Sequence, residues 1–202
     1  MARTSRKERE IDNTKQEILR AAARAATVHG FETITLRDIA KETGYTVGTL
    51  YSYFDGKEAI LEGLIGEITS LALQTLREPM PGGLTLAQKM ELLIQRQLKM
   101  AEEWRDAVFV LMGVIFQGGV MIKAIKLGAD VNFYETYAKW IKANAEPSEL
   151  EGQDPIEVAL VYLGVLQAVI TGALLRKSKQ PLMNLARRIM QYLSKGIQVF
   201  GT

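Results

Sequence analysis

The placement of proline is the feature that most constrains how this 202-residue chain can fold. The prolines are Pro79, Pro81, Pro147, Pro155 and Pro181, and the first 78 residues contain none. Because proline breaks helix interiors, these positions predict boundaries between helices. Between them the apolar residues recur at helical spacing, and β-branched runs with period-two alternation are scarce. The sequence therefore predicts an all-α fold of about nine helices.

The composition excludes several kinds of catalytic or metal site. Apolar residues make up 48% of the chain and charged residues 24%, as in an ordinary globular protein with a sizeable core. Cysteine is absent, which excludes disulfides, thiolate metal ligands and cysteine nucleophiles. His29 is the single histidine, and we predict that it ends a helix as a cation-capable residue. We expect no enzymatic activity, no metal and no cofactor.

The charge distribution is nearly even along the chain. The formal net charge is +2, and residues 1–60 hold 10 basic and 9 acidic side chains, so bulk charge does not indicate a nucleic-acid binder. Residues 1–9 are the exception, a basic arm that either approaches DNA or is a solvated tail. The same charged start lacks an apolar signal peptide, so we expect a cytoplasmic protein.

Four helices are predicted before the first proline. The first spans 13–29, buries a stripe formed by Ile18, Ala22, Ala25 and Ala26, and stops at Gly30. Thr35 caps a second helix, which ends at Gly44. Thr46 caps a third helix over 47–54, and a fourth helix runs from Lys57 to about Arg77. Two short helices joined by a glycine turn fit either a DNA-binding helix-turn-helix or an ordinary αα-hairpin.

Residues 31–61, FETITLRDIAKETGYTVGTLYSYFDGKEAIL, carry a more specific pattern. The pattern comprises Gly30-Phe31, Thr35, Ile39-Ala40, Gly44, Thr46-x-Gly48-Thr49-Leu50-Tyr51-x-Tyr53-Phe54 and Lys57-Glu58-Ala59-Ile60-Leu61. It resembles the N-terminal DNA-binding domain of the TetR family of transcriptional regulators. The resemblance implies a homodimer that represses transcription from a palindromic operator in double-stranded DNA and is released by a small, mostly apolar effector. It also implies a DNA-binding domain at 1–56 and an effector-binding and dimerisation domain at 57–202, with helix 4 (57–77) as the connector.

The predicted DNA contacts follow from helix-turn-helix docking, in which the start of helix 3 enters the major groove. Residues 46–54 contain no charge, so this helix cannot make a bidentate arginine contact to guanine. For contacts to bases this helix offers hydroxyls, methyl groups and a glycine, and cations outside it are available for phosphate and base contacts. Tyr51 could instead be a core residue, and Arg37 a solvated helix residue. The predicted contacts are Thr35, Arg37, Thr46, Val47, Gly48, Thr49, Tyr51, Tyr53 and Lys57, of which Tyr51 and Tyr53 are implied by the resemblance to the family.

Large apolar and aromatic residues concentrate in the second half of the chain. Helices are predicted from about Thr85 to Glu103, from Asp106 to 117–119 and over 131–144, with a break near 128–132. Such residues can line an adaptable pocket, although any single one of them more often belongs to an ordinary bundle core. The predicted effector pocket comprises Trp104, Phe109, Met112, Phe116, Met121, Tyr134, Tyr137, Tyr162 and Gln167.

The segment 158–175 contains no charged residue. Asp154, Pro155 and Glu157 predict a firm helix start before it, and a further helix is expected from Pro181. Its length approaches that of a membrane span, so a helical membrane or adaptor protein is the alternative function. We favour a helix buried on nearly all sides, without a membrane, whose small residues allow close helix contact. The predicted dimer interface comprises Gly164, Ala168, Gly172, Leu185, Ile189 and Leu193.

Overall fold

A computed structural model of the chain describes residues 6–116, 132–150, 152–176 and 178–195. Within these ranges the chain forms nine α-helices, two short 3-10 turns and no strand, which confirms the all-α prediction. The helices are α1 (Arg6–His29), α2 (Leu36–Thr43), α3 (Val47–Tyr51), α4 (Lys57–Arg77), α5 (Leu86–Glu103), α6 (Arg105–Phe116), α7 (Asn132–Asn144), α8 (Pro155–Leu175) and α9 (Ala186–Lys195). The 3-10 turns are Pro147–Glu149 and Leu182–Leu185.

The described residues divide into two compact units. Those within Met1–Ile68 and Trp104–Gly128 form the first unit, and those within Thr69–Glu103 and Ala129–Thr202 form the second. The division falls inside α4, and it places α6 with the N-terminal helices. The predicted domains, 1–56 and 57–202, are defined by function and stay predictions.

Helix α1 is the centre of the first unit, because it packs against both α2 and α6. Ile18 and Ala22 of the predicted stripe are fully buried, and Ala26 is nearly so, whereas Ala25 is half-buried. Leu19, Ala21 and Ala23 are buried as well, so the buried surface is wider than one stripe. A helix that packs on two sides needs this wider apolar surface. His29 is its last residue, as predicted.

Part of the predicted basic arm, residues 1–9, belongs to helix α1. Helix α1 begins at Arg6 rather than at residue 13, and the Arg6 Nε lies 2.9 Å from the Glu10 Oε1 one turn later. Salt bridges at this spacing favour helix at an exposed end. Residues 6–9 of the predicted arm are therefore helical, and residues 1–5, including Arg3, lie outside the described residues.

The two short helices begin as predicted, but α3 is shorter than expected. It ends at Tyr51, whereas the sequence predicted a helix to 54. The Ser52 hydroxyl donates to the Thr49 carbonyl at 2.6 Å, and the Tyr53 N–H bonds to the Leu50 carbonyl instead of to that of Thr49. A side chain that takes a backbone carbonyl competes with the helix for it. The result is a tight turn before α4, whose bounds match the prediction.

Carboxylates from distant segments hold the helix starts of the second unit. The Leu86 N–H at the start of α5 donates to Glu149 Oε1 at 2.7 Å, and the same carboxylate accepts from the Glu146 N–H at 2.9 Å. Those two backbone bonds, the Glu146 one first, lower the pKa of Glu149. The Leu182 N–H donates to Glu102 Oε2 at 2.7 Å. Each bond satisfies a backbone donor that a helix or 3-10 turn leaves open.

The predicted boundaries next to α7 and α9 are matched only in part. Helix α7 begins at Asn132, the last position of the predicted break near 128–132. The rest of that break, 128–131, and the predicted end of helix 6 at 117–119 lie outside the described residues. The helix predicted from Pro181 is wrong at its start, because Leu182–Leu185 form a 3-10 turn and α9 begins at Ala186. The Asn184 N–H bonds to the Pro181 carbonyl three residues back, which gives the tighter turn.

Helix α8 differs from its prediction in burial. Asp154 caps it by accepting from the Ile156 N–H at 3.0 Å, and Pro155 is its first residue. It is not buried on nearly all sides, since Leu160, Val161 and Leu175 are 49%, 59% and 65% exposed. By length and composition alone, α4 and α8 are both able to cross a membrane. Core helices of other proteins meet the same criterion, so it does not decide between the alternatives.

Two glycines of α4 provide a test of packing in the first unit. A Cβ added at Gly63 would lie 2.9 Å from Phe54 Cε1 and 3.0 Å from Leu19 Cδ2, whereas one at Gly66 would meet no atom within 4 Å. We expect Gly63→Ala to destabilise the protein by about 1–3 kcal/mol through overpacking. Gly66→Ala, the matched control, should be neutral or stabilising by up to about 1 kcal/mol. Denaturant unfolding measures both, and equal effects at the two positions would contradict the close packing of Gly63 against Phe54 and Leu19.

Candidate functional site

The α2–turn–α3 segment is built from local caps and two buried anchors. Thr35 and Asp38 form a reciprocal capping box at the start of α2, and Thr46 caps α3. Gly44 ends α2 with a φ of +75°, a left-handed conformation that favours glycine. Ile39 of α2 and Leu50 of α3 are fully buried. This arrangement holds two short helices that would not be stable alone.

The exposed surface of α3 is uncharged and rich in hydroxyl groups. Thr46 and Thr49 lie side by side, with their Oγ1 atoms 2.8 Å apart, and Tyr51 is 56% exposed. Gly48 is exposed between them, and a Cβ there would meet only the Thr46 hydroxyl, at 3.7 Å. The structure thus brings the predicted contacts of 46–51 together on one short element, with Val47 half-buried beside them. Tyr53 is half-buried in the turn after α3.

The Thr35 hydroxyl, a predicted phosphate contact, already donates a hydrogen bond within the protein. Its hydroxyl donates to Asp38 Oδ2 at 2.7 Å, and its N–H donates to the same atom at 2.8 Å. These bonds, the side-chain one first, lower the pKa of Asp38. The single hydroxyl proton of Thr35 is therefore used within the capping box, and a phosphate contact from this hydroxyl would have to replace that bond.

Two cations flank α3 in the chain. Lys57, the first residue of α4, donates from Nζ to the Glu32 carbonyl at 2.7 Å, and its ammonium lies 5.5 Å from the centroid of the Phe31 ring. One carbonyl contact leaves two ammonium protons for an anion. Arg37 is exposed in the first turn of α2, and it has no ion-pair partner in the part of the chain that the structure describes. Its guanidinium is therefore available for a base or phosphate contact.

A buried polar cluster lies in the second unit, at a position that the sequence did not single out. Gln97 of α5 is 2% exposed, and its amide donates to the Tyr137 hydroxyl and, at 3.4 Å, to Thr75 Oγ1. The Tyr162 hydroxyl donates to Gln97 Oε1 at 2.6 Å. Burial raises the pKa values of both tyrosines, and the hydrogen bond from Gln97 partly opposes the rise at Tyr137. Both phenols are therefore neutral at physiological pH.

The residues predicted for the effector pocket are divided between the two units. Trp104, buried below the Arg20 guanidinium at 3.8 Å from the ring centroid, belongs to the first unit with the half-buried Phe109 and Met112. The second unit contains Tyr134, which is 44% exposed, the half-buried Gln167, and the Tyr137–Tyr162 pair with ring centroids 6.0 Å apart. The side chain of Phe116, and Met121 entirely, lie outside the described residues.

Three of the predicted interface residues, Gly164, Ala168 and Gly172, lie on the exposed side of α8. The other three are Leu185 in the 3-10 turn, and Ile189 and Leu193 on α9. Gly164 and Ala168 are exposed, and Gly172, Leu185 and Leu193 are half-buried. Ile189 is fully buried within its own unit, so its side chain is not on the exposed face. A groove of about 340 Å³ runs along this side. Its walls are Val165, Ala168, Val169, Gly172, Arg176, Arg188 and Tyr192. Across the described residues, no three His, Asp or Glu side chains lie close enough to hold a metal ion.

Comparison with known proteins gives matches to the N-terminal part of the chain. Residues 18–64 match the model of a family described as bacterial regulatory proteins, tetR family. The HTH-type transcriptional regulator UidR of Escherichia coli K12 is 34% identical to this chain over 73 residues. That match covers 36% of this chain and only 37% of UidR.

Solved structures share the fold along nearly the whole chain. The fatty acid degradation regulator FadR from Bacillus halodurans superposes with a TM-score of 0.77 at 20% identity, covering 98% of this chain and 99% of that one. The transcriptional regulator FadR from Bacillus subtilis, solved in complex with stearoyl-CoA, gives a TM-score of 0.70 at 20% identity. It covers 90% of this chain and 98% of that one.

The Gln97 cluster predicts a clear stability effect. Gln97→Leu removes the amide and leaves two tyrosine hydroxyls buried without it, so we expect a loss of about 1–3 kcal/mol in the free energy of unfolding. Adding Tyr137→Phe and Tyr162→Phe to this variant should recover part of that loss, because the buried hydroxyls are then gone as well. Gln95→Leu, at a half-buried position on the same helix, is the control and should change stability little. A triple variant less stable than Gln97→Leu alone would contradict the role of the cluster.

Proposed function

We propose that the chain is a transcriptional regulator of the TetR family, a homodimeric repressor that binds a palindromic operator in double-stranded DNA, because residues 18–64 match the model of that family. The observation that carries the proposal is the capped α2–turn–α3 segment, which lies within the residues that match the family model. In helix-turn-helix proteins the second helix reads bases in the major groove. Such a protein acts where the DNA is, in the cytoplasm.

The proposed reading of DNA divides the task between uncharged and charged residues. Thr46, Val47, Gly48 and Thr49 offer hydroxyls, methyl groups and an open backbone to base edges. The electrostatic attraction to phosphate has to come from outside α3, and Lys57 and Arg37 supply it under this proposal. Tyr51 and Tyr53 complete the surface, and Thr35 contributes mainly as the cap of α2.

The proposed dimer uses the exposed side of α8. Leu160, Val161 and Leu175 are large apolar side chains at 49–65% exposure on a helix with mean hydropathy 2.2. A contiguous apolar face of this kind marks an interaction site. Gly164 and Ala168 on the same side allow another helix to approach closely. A second copy of the chain would cover this face by two-fold symmetry, and the dimer would then present two DNA-binding domains to two half-sites.

The proposed effector is a long-chain acyl-CoA or a compound of similar apolar chemistry. The support is the shared fold with Bacillus subtilis FadR, which was solved with stearoyl-CoA. The residues proposed to contact an effector include Tyr137 and Tyr162. Their hydroxyls and the Gln97 amide form a small polar group within an apolar interior, as in pockets that orient a ligand through few polar contacts.

One experiment tests operator and effector together. The protein would be used to select duplexes from a random pool, and we expect an inverted repeat whose half-sites lie about one helical turn or more apart. Stearoyl-CoA should then release the protein from the selected duplex, whereas free CoA should not. Selection without an inverted repeat would overturn the proposed dimeric operator. Binding that is unaffected by stearoyl-CoA would overturn the proposed effector and leave the operator in place.

Lys57→Ala tests the phosphate contact. If the Lys57 ammonium binds phosphate, the substitution should weaken binding to all sequences about equally and reduce the slope of log K against log salt by roughly one unit. Lys139→Ala is the control, because Lys139 is 74% exposed on α7 and pairs only with Glu135 in the described residues. It should leave the slope unchanged. An altered base preference at an unaltered slope would show that Lys57 has another role.

Gly164→Leu tests the dimer interface without disturbing the subunit. A Cβ at Gly164 meets no atom within 4 Å in the single chain, so a larger side chain is tolerated there. At a close-packed seam the added volume should cost about 1–3 kcal/mol per copy, and a two-fold interface contains two copies. We expect a monomer by analytical ultracentrifugation, with unchanged helical content. Gly66→Leu, also in open space, is the control. A Gly164→Leu dimer as tight as the parent would place the interface elsewhere.

A further inference from the structure

Tyr45 makes a contact that the predicted DNA-reading surface does not explain. It lies in the turn between α2 and α3, one residue before the Thr46 cap, and its side chain is half-buried. Its hydroxyl lies 2.5 Å from Glu17 Oε2 on α1. The contact joins residues 28 positions apart and links the turn directly to the central helix of the first unit.

Helix α3 needs support of this kind because it is very short. Of its five residues, all of them described, Leu50 is the one that is buried. A single buried side chain holds the helix against the core but leaves rotation about that point poorly restrained. The residues predicted to read bases, Thr46 to Thr49, all precede Leu50. A second fixed point next to Thr46 is therefore what determines where their side chains are directed.

The chemistry of the Tyr45–Glu17 contact suits a bond that holds the turn before α3 in one position. A phenol that donates to a carboxylate forms a charge-assisted hydrogen bond, which is shorter and stronger than a neutral one. The bond to Glu17 is the largest cause of a raised pKa at Tyr45, so the phenol keeps the proton that it donates. That proton is used by Glu17, which leaves Tyr45 without a donor for a phosphate in this arrangement.

We infer that Tyr45 and Glu17 form a positioning pair, which orients the start of α3 and thereby sets its discrimination among bases without contacting DNA. The inference rests on the proposed function. It assigns to two residues outside the predicted contact surface a role in specificity, and it requires that they act as a pair.

The pair is tested by operator binding of Tyr45→Phe, Glu17→Gln and Glu17→Ala. Tyr45→Phe keeps the ring and loses the donor, so we expect about five- to tenfold weaker binding to the selected operator. Binding to a random duplex should stay within about twofold, with the same salt slope, since no phosphate contact is removed. The two Glu17 variants are matched in charge, and only Gln keeps an accepting oxygen. Glu17→Ala should therefore bind the operator several-fold more weakly than Glu17→Gln.

Two further measurements separate positioning from loss of fold and from failure of the proposed function. Adding Tyr45→Phe to Glu17→Ala should cause no additional loss, as expected for partners in one interaction. Without DNA, the Leu50 and Ser52 amides should exchange faster with solvent in Tyr45→Phe, at an unchanged midpoint of global unfolding.

The inference is overturned if Tyr45→Phe matches the parent in operator affinity, or if its loss persists in the Glu17→Ala background. Equal loss on operator and random duplex would also overturn it, since that result indicates a general effect on binding. A parent chain that binds no duplex sequence-specifically overturns the proposed function, and the exchange measurement then still decides whether the pair fixes α3.

Discussion

The backbone groups at helix ends are the constraint on which the rest of this structure depends. Every helix leaves N–H groups at its start without an intrahelical acceptor, and buried groups of this kind need partners. At α2, α3 and α8 the residue before the helix provides the acceptor. At α5 and at Leu182–Leu185 it is Glu149 and Glu102, from 63 and 80 residues away. These bonds fix helix ends and tertiary structure together, so the second unit cannot rearrange without exposing them.

The difference between caps from neighbouring residues and caps from distant residues explains how much of the molecule could be predicted from its sequence. Caps that act over three residues, such as Thr35 with Asp38, have a recognisable pattern, and the start of α2 followed from that pattern. The bonds of Glu149 to Leu86, of Glu102 to Leu182 and of Gln97 to Tyr162 have no local pattern, because the two partners lie far apart along the chain. Gln97 in particular sits in an otherwise amphipathic helix, where a single polar residue on the apolar side is indistinguishable from an irregularity in the periodicity.

The candidate site shows the same limit. The grouping of the predicted contacts at 46–51 on one short segment was predictable, because these hydroxyl-bearing residues and the glycine follow one another along the chain. The Tyr45–Glu17 contact was not, since it depends on the packing of α1 against the turn. The exposed side of α8 was also misjudged, because a run of uncharged residues does not reveal which of its faces the subunit itself covers. Sequence patterns locate the helices well. They show whether a helix face is buried or exposed only when the residues that contact it are close in the sequence.

The membership of α6 in the first unit has a consequence for how the protein is made. Thr27 of α1 donates to Asp106 of α6 at 3.4 Å, and Arg20 covers Trp104, contacts that span about eighty residues. During synthesis α1 leaves the ribosome well before α6 has been made. The side of α1 that packs against α6 therefore stays uncovered until then. Contacts over such separations slow folding. The N-terminal 68 residues therefore do not form a complete structural unit. A fusion protein that carries only these residues would expose the side of α1 that α6 covers.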